Sequence, residues 1–331
     1  MIEQLLNLLN IEIVKVILAA VILVAVTLLH VAYLTYAERK IIARMQQRLG
    51  PNRVGPRGLL QPFADMFKLM FKEDVIPKAV DKPTFWVAPF ISLVCAGTGV
   101  ALIPIWKNFV LSNINVGLLF ILALSGLGSY GILLAGWSSN SRYALLGGLR
   151  EGAQVISYEI AMSLALLSVV LMAGSFNLRD IVNAQLNSPF KIYLIPQIIG
   201  FFVFMISAVA ECNRTPFDLP EAEQELVAGY FTEYSGLRFA LFYLAEYAGM
   251  IVMSALAVTC FLGGWAGPFD IPYIPFFWFF LKIYFILFCY IWIRATLPRY
   301  RYDQVMGLGW KILIPLGLAN VFLTAIFKLI F

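Results

Sequence analysis

Apolar runs recur along this chain too often, and at too great a length, for a water-soluble core. Eight stretches read as spans: about 13–35, 84–104, 116–137, 158–174, 193–210, 239–262, 275–295 and 309–330. A helix of roughly 20 residues crosses a ~30 Å hydrocarbon layer. Inside such a layer the backbone must satisfy its own hydrogen bonds, which leaves helices as the solution for runs of this length. Composition agrees, with 61 % hydrophobic and 13 % charged residues in 331. The expected fold is all-α, a polytopic transmembrane helical bundle of about eight spans. It forms a single integral membrane domain over 1–331, with long ordered loops on one face and an interfacial amphipathic helix. The first run follows Glu3 and Glu12 and shows no small-residue cleavage site, so it is expected to remain as a helix. The fourth run is short and is expected to begin in a charged flank near Glu159.

Charge sets the orientation. With an even number of spans both termini share one side. The opposite side holds Arg39 to Lys82 with ten Lys/Arg, then Arg142 and Arg150, Arg214 and Arg238, and Arg294, Arg299 and Arg301. The side of the termini has only scattered bases, among them Lys15, Lys107 and Arg179. By the positive-inside rule the odd-numbered loops are cytoplasmic and both termini lie outside.

The loop 38–82 is the longest polar segment. Arg39 and Lys40 follow the first span, and Arg44 and Arg48 lie one and two turns further, so the helix is expected to continue with a basic face. A Gly/Pro-rich strap from Gly50 to Gly58 leads into Leu59 to Phe71. There Leu59, Phe63, Met66, Phe67 and Met70 mark one apolar face of an interfacial or partner-facing helix. The stretch 138–157 reads as a polar, Gly-rich loop in which Glu151 pairs with Arg150. The segment 175–192 reads as an outer loop with a short helix start at Asn177 to Asp180. Cys95, Cys212, Cys260 and Cys289 are isolated and read as small buried hydrophobes, and His30 as a packed residue near the end of the first span. Aromatic residues between bases at Pro298 to Asp303 suit headgroup depth better than nucleic acid. No P-loop, GxGxxG, HExxH or Ser-His-Asp arrangement is present.

Seven of the nineteen acids fall between Glu211 and Glu246, in and around an acidic loop over 211–238: Glu211, Asp218, Glu221, Glu223, Glu225, Glu233 and Glu246. Asp218-Leu219-Pro220-Glu221 has the form of a helix start with a capping box. Glu211 and Glu246 need another account, because an acid in hydrocarbon costs at least ~2.5–3.5 kcal/mol and usually faces protein interior or water. Glu159, Glu211 and Glu246 lie near the inner ends of three successive spans and would form a proton path if those helices are neighbours. Lys282, seven residues into the seventh span, is a candidate basic partner. A proton-coupled transporter would show pseudo-repeats and broken helices, and a simple anchor would not hold intramembrane acids. A membrane subunit that docks a soluble redox module and relays protons accounts for both the acids and the basic loops.

At this point the sequence resembles a known family. Gly50 to Gly58 followed by Leu59-Leu60-Gln61-Pro62-Phe63-Ala64-Asp65, and Arg214 through Val227, are similar to the two signatures of the membrane-embedded H subunit of bacterial proton-pumping NADH:quinone oxidoreductase, respiratory complex I. The segments Gly136 to Ser141, Ser157 to Glu159, Ala245 to Tyr247 and Ile293 to Gln304 carry the same likeness, which covers nearly the whole chain. The resemblance implies a multi-pass protein of the bacterial inner membrane, with both termini periplasmic, at the junction of the hydrophilic and membrane arms. Quinone is implied as substrate, with its tunnel lined through Arg39, Arg44, Arg48, Asp65, Phe217 and Asp218. A proton relay is implied through Glu159, Glu211, Glu221, Glu223, Glu225, Glu233 and Glu246, with Tyr158 and Tyr247 alongside. No tightly bound cofactor is implied in this chain, and NADH, flavin and iron–sulfur clusters belong to partner subunits. The implied partners are two hydrophilic quinone-site subunits, small adjacent membrane subunits and lipid, with no nucleic acid. A homologous docking and relay subunit of a membrane-bound hydrogenase is the alternative. Two positions depart from the family pattern: Glu151 stands where a small residue is common, and Gly126 where some members carry an acid.

Overall fold

Every described apolar run is helical, and none of the described backbone forms a ladder of strands. The computed structural model of the chain describes residues 2–107, 112–189, 191–219, 227–267 and 274–330, with side chains of the first helix from residue 14. The helices are α1 (Ile2–Met45), α2 (Gln61–Phe71), α3 (Lys82–Leu102), α4 (Gly117–Ser138), α5 (Arg142–Ala173), α6 (Leu178–Asn187), α7 (Ile198–Glu211), α8 (Gly236–Phe261), α9 (Ile274–Thr296), α10 (Tyr302–Leu308) and α11 (Ile314–Ile330). A π-helical turn at Gly309–Leu313 joins α10 and α11 into one rod. Among the described residues seven helices are long and apolar enough to cross a membrane, α7 being the shorter apolar one.

Two boundaries differ from the sequence reading. The fourth span does not start near residue 158, because α5 runs from Arg142 for 32 residues and takes in most of the expected loop. At 1.5 Å per residue that is ~48 Å, well beyond the hydrocarbon layer. Its glycines are packing positions in a helix, not turn formers. A Cβ at Gly147 would lie 2.9 Å from the Cα of Gly229, so the 3₁₀ turn Gly229–Glu233 can rest on α5 only at that small surface. The fifth span is shorter than expected. Proline disfavours helix at the residue before it, and α7 begins only after Pro196, with 14 residues or ~21 Å of helix.

The core gathers around α5 and α8, the two most enclosed spans, whereas α1 is almost wholly exposed along its apolar length. Buried Tyr158, Met162, Leu166, Phe204, Leu256 and Phe261 belong to one continuous apolar cluster. At one end of the bundle a polar knot crosses it. Ser168 of α5 donates to Gln197 Oε1 (2.8 Å), Gln197 Nε2 donates to Thr324 of α11 (2.7 Å), and Asn320 Nδ2 donates to both Ser168 and Gln197 (2.8 Å each). α6 starts at the Asn177 cap, whose side chain accepts from the Arg179 amide. It is no mere surface turn, since Gln185 is buried and donates to Thr259 O at 2.7 Å.

Among the described residues Lys282 pairs with no acid. Its Nζ donates to the carbonyls of Leu262 (2.6 Å), Gly264 (3.1 Å) and Ala266 (2.6 Å) at the C-terminal end of α8. A cation there meets the negative end of the helix dipole and satisfies carbonyls that lack helical partners. Lys282→Met is therefore expected to destabilise the folded chain by about 3 kcal/mol. The loss is read as a lower thermal midpoint of the detergent-solubilised complex, and an unchanged midpoint would remove the capping role. His30 stacks on Phe280 and shares a 2.7 Å hydrogen bond with Tyr284, as a packed residue should.

Candidate functional site: a charged junction between two cavities

The strap after α1 shapes the first cavity. Gly58 has φ +82° and a Cβ there would lie 2.2 Å from Pro51 O, so only glycine closes this turn. Tyr36 OH donates to Arg57 O (2.7 Å) and ties the strap back to α1. Between strap, α1, α2, α8 and α9 opens a cavity of about 1040 Å³, with Glu38, Arg39, Arg48, Gln61, Tyr243 and Arg294 in its wall. Arg39 and Asp65, both singled out in the sequence, meet across α1 and α2 as an ion pair at 2.5 Å. Arg44 is exposed and stands outside the lining. The apolar side of α2 is also uncovered, with Met66, Phe67, Met70 and Phe71 exposed.

The second cavity lies deeper. About 110 Å³ in volume, it is bounded by α3, α4, α5, α7 and α8, and its lining includes Ser125, Glu151, Glu211, Asn213, Glu246 and Met253. A liquid water occupies ~30 Å³, so the chamber has room for a few in contact with polar groups. Glu159 joins it indirectly, accepting from Ser125 Oγ at 3.2 Å. Gly126 faces the same carboxylate, since a Cβ there would lie 3.0 Å from Glu159 Oε1. The described residues hold no group of three His, Cys, Asp or Glu arranged to bind a metal.

Arg214 separates the cavities and touches an acid of each. Its Nη1 lies 3.2 Å from Glu38 Oε1 on the large-cavity side, and its Nε lies 2.8 Å from Glu246 Oε1 on the chamber side. The second contact is an ion pair without an aligned hydrogen bond, and Nη2 has no hydrogen-bond partner among the described residues. The guanidinium lies 4.3 Å from the Tyr247 ring centroid. Tyr247 OH donates to Glu38 Oε2 (2.7 Å), Tyr243 and Tyr247 share a 2.8 Å hydrogen bond, and Arg294 also pairs with Glu38. Burial alone would loosen the Arg214 proton, but Glu246, Tyr247 and Glu38 outweigh it and lift its pKa above the ordinary guanidinium range. With two carboxylates and two guanidiniums the cluster is neutral as a whole, which limits the cost of burying it.

The turn after α7 carries the rest. Phe217 is buried between the rings of Tyr158 (5.4 Å) and Tyr300 (5.9 Å). Tyr158 OH donates to Val305 O at 3.0 Å. Asp218, expected as a helix cap, accepts from Arg299 Nη2 at 2.7 Å. The pairing of Glu151 with Arg150 does not occur. Adjacent residues on a helix point ~100° apart, and Glu151 turns inward to accept from Asn213 Nδ2 at 2.5 Å, while Arg150 lies over the Tyr302 ring. Burial pushes the Cys212 thiol up in pKa, Glu211 adding to it, in keeping with a packing residue.

Of the acids proposed for proton transfer, Glu211 and Glu246 line the chamber and Glu159 adjoins it. Glu233 ends the 3₁₀ turn, half-buried and outside the lining, and Glu221, Glu223 and Glu225 lie outside the described residues. Sequence reasoning missed Glu38, Tyr243, Asn213 and Gln154, and took Arg214 and Arg294 as topology signals and as members of family-like segments without giving either a role in the site. For Glu38 the signal was an acid directly beside Arg39 and Lys40 at a span end.

A family model described as NADH dehydrogenase matches residues 18–325. A Rickettsia bellii protein, named as the H subunit of NADH-quinone oxidoreductase, is 56 % identical over 299 residues, 89 % of this chain and 88 % of that protein. A Rhodospirillum rubrum protein of the same name is 54 % identical over 305 residues, 91 % of this chain and 90 % of its own length. Matched from α1 to α11 by the family model and at this identity by both relatives, the chain belongs to the family of NADH-quinone oxidoreductase H subunits, which are membrane proteins.

Proposed function

We propose that this chain walls the quinone tunnel of a proton-pumping NADH:quinone oxidoreductase and carries protons away from it through buried acids. The observation that carries the reading is Arg214, which binds an acid of the large cavity and an acid of the inner chamber at once. The large cavity is the tunnel. Its volume suits a ligand of some size, Ile42 and Leu49 offer apolar wall, and Arg39 and Arg48 offer donors to a carbonyl headgroup at the mouth. The chamber is the start of the relay, where Glu211, Glu246 and Glu159 exchange protons through water. A change of charge in the tunnel reaches Glu246 through one buried guanidinium, with no mobile carrier needed between.

This chain contributes no redox centre in this reading. Nicotinamide, flavin and iron–sulfur chemistry belong to partner subunits, two of them hydrophilic and docked on the face that carries the strap, α2 and the exposed bases. The excess of bases on that face supports a cytoplasmic position for it, and this reading has both termini in the periplasm of a bacterial inner membrane.

Two variants test the two cavities separately in membranes where assembly is verified on native gels. Arg48→Ala is expected to raise the apparent KM for quinone roughly tenfold with kcat little changed, the mark of lost ground-state binding. Glu246→Gln is expected to lower kcat and pumping with KM little changed. Unaltered quinone kinetics in both would overturn the assignment of tunnel and relay.

A further inference from the structure

Glu151 is the one acid of the chamber wall to which the family reading gives no part, and its surroundings suit a specific one. It is 1 % exposed, in α5, one turn before buried Gln154. The Gln154 amide donates to the carbonyls of Ala210 (2.8 Å) and Phe217 (2.9 Å) and lies 3.3 Å from Asn213 Oδ1. Because Asn213 Oδ1 faces a donor, its Nδ2 is the atom turned to Glu151, where it donates to Oε1 at 2.5 Å. One carboxylate oxygen is therefore fixed as an acceptor. The other, Oε2, is buried with no hydrogen-bond partner among the described residues, on a residue that lines the chamber with Glu211 and Glu246.

A carboxylate oxygen left this way gains a hydrogen bond only from chamber water or by carrying a proton itself. Its counterpart Glu211 Oε2 is buried in the same lining, also without a hydrogen-bond partner among the described residues. We propose that Glu151 is a further proton-carrying residue of the relay in this chain, exchanging through water with Glu211 and holding its proton on Oε2. The step balances as a transfer of one proton. An O–H bond of the Glu211 carboxylic acid breaks as a chamber water accepts, that water gives up another proton to Glu151 Oε2, and the charges of the two carboxylates exchange. Asn213 serves both forms, since Oε1 accepts its hydrogen bond whether Oε2 is bare or protonated. The same asparagine follows Glu211 by two residues and shares Gln154 with Phe217 O, so the occupant of Glu151 is sensitive to the position of the turn 212–217.

This rests on the relay reading of the chamber, and the test separates the two. In membranes holding the assembled complex, Glu151→Gln keeps the acceptor for Asn213 and removes the exchangeable proton, whereas Glu151→Asp keeps an ionisable group. The expected result is a severalfold loss of quinone-linked turnover and pumping in Glu151→Gln with the quinone KM unchanged, and recovery of most of it in Glu151→Asp. The redox-induced infrared difference spectrum is expected to lose a protonated-carboxyl carbonyl band in Glu151→Gln and to show it displaced in Glu151→Asp. Normal turnover in Glu151→Gln beside an impaired Glu211→Gln would overturn this proposal alone, and normal turnover in both would overturn the relay reading itself. Should Glu151→Gln fail to assemble, the Glu151→Asp spectrum decides: a displaced band supports the proton carrier, an unmoved one overturns it.

Discussion

Arg214→Met is expected to leave the chain unable to accumulate as part of a stable complex. The substitution removes a cation buried between Glu38 and Glu246. Removing one partner of a buried pair costs about 3–5 kcal/mol, because the remaining charge stays buried without compensation. Here two carboxylates lose a partner, and a typical domain has only ~5–15 kcal/mol in total. Arg214→Lys is expected to restore little, since a single ammonium cannot reach two acids through separate nitrogens of a planar fork. Adding Glu246→Gln to Arg214→Met is expected to recover part of the loss, as the uncompensated charge then disappears with its partner. Native-gel abundance and thermal midpoint measure each step, and a normal midpoint for Arg214→Met would show that the cluster does not hold the helices together.

Glu211→Gln is expected to leave the fold intact and to cut coupled activity by roughly a hundredfold, the scale of losing a positioned proton-transfer group. The side chain keeps its shape and ends in the same chamber wall, but it no longer exchanges a proton. Quinone reduction and proton translocation need to be measured together. If both fall, Glu211 acts at the step that links the tunnel to the pump. Reduction that persists while pumping falls would place it further along the relay. If neither changes, its role is structural and the relay reading of the chamber is overturned.

Glu211 and Glu246 stood out in the sequence because an acid against hydrocarbon needs a reason wherever it occurs, and their shared chamber is the geometry that principle anticipates. Arg39 and Asp65 were singled out only as positions implied by the family resemblance, and their ion pair became visible when the strap brought α2 against α1. Glu38 was not, since one acid next to two bases looks like any membrane flank, and only the approach of α8 and the 294 end of α9 reveals its partners. The start of α5 was hidden by its glycines, which signal loops in water and close helix packing in a bundle. Glu151 was misjudged with it, because a residue assigned to a loop is given its sequence neighbour as partner, whereas a helix turns the two apart. Pro196 was visible, but the apolar residues on either side of it read as one run.

The knot of Ser168, Gln197, Asn320 and Thr324 bears on movement. It fastens α5, the start of α7 and α11 with mutually satisfied hydrogen bonds among buried groups, about 26 Å along α5 from Glu151 by helical rise. The other end of α5 and α7 carries Glu151 and Glu211, each with a buried oxygen that has no hydrogen-bond partner among the described residues. A bundle bolted at one end and loosely satisfied at the other behaves as a set of levers with a common fulcrum. Displacement of the turn after α7 would then spend itself where the acids are, while the end held by the knot stays closed.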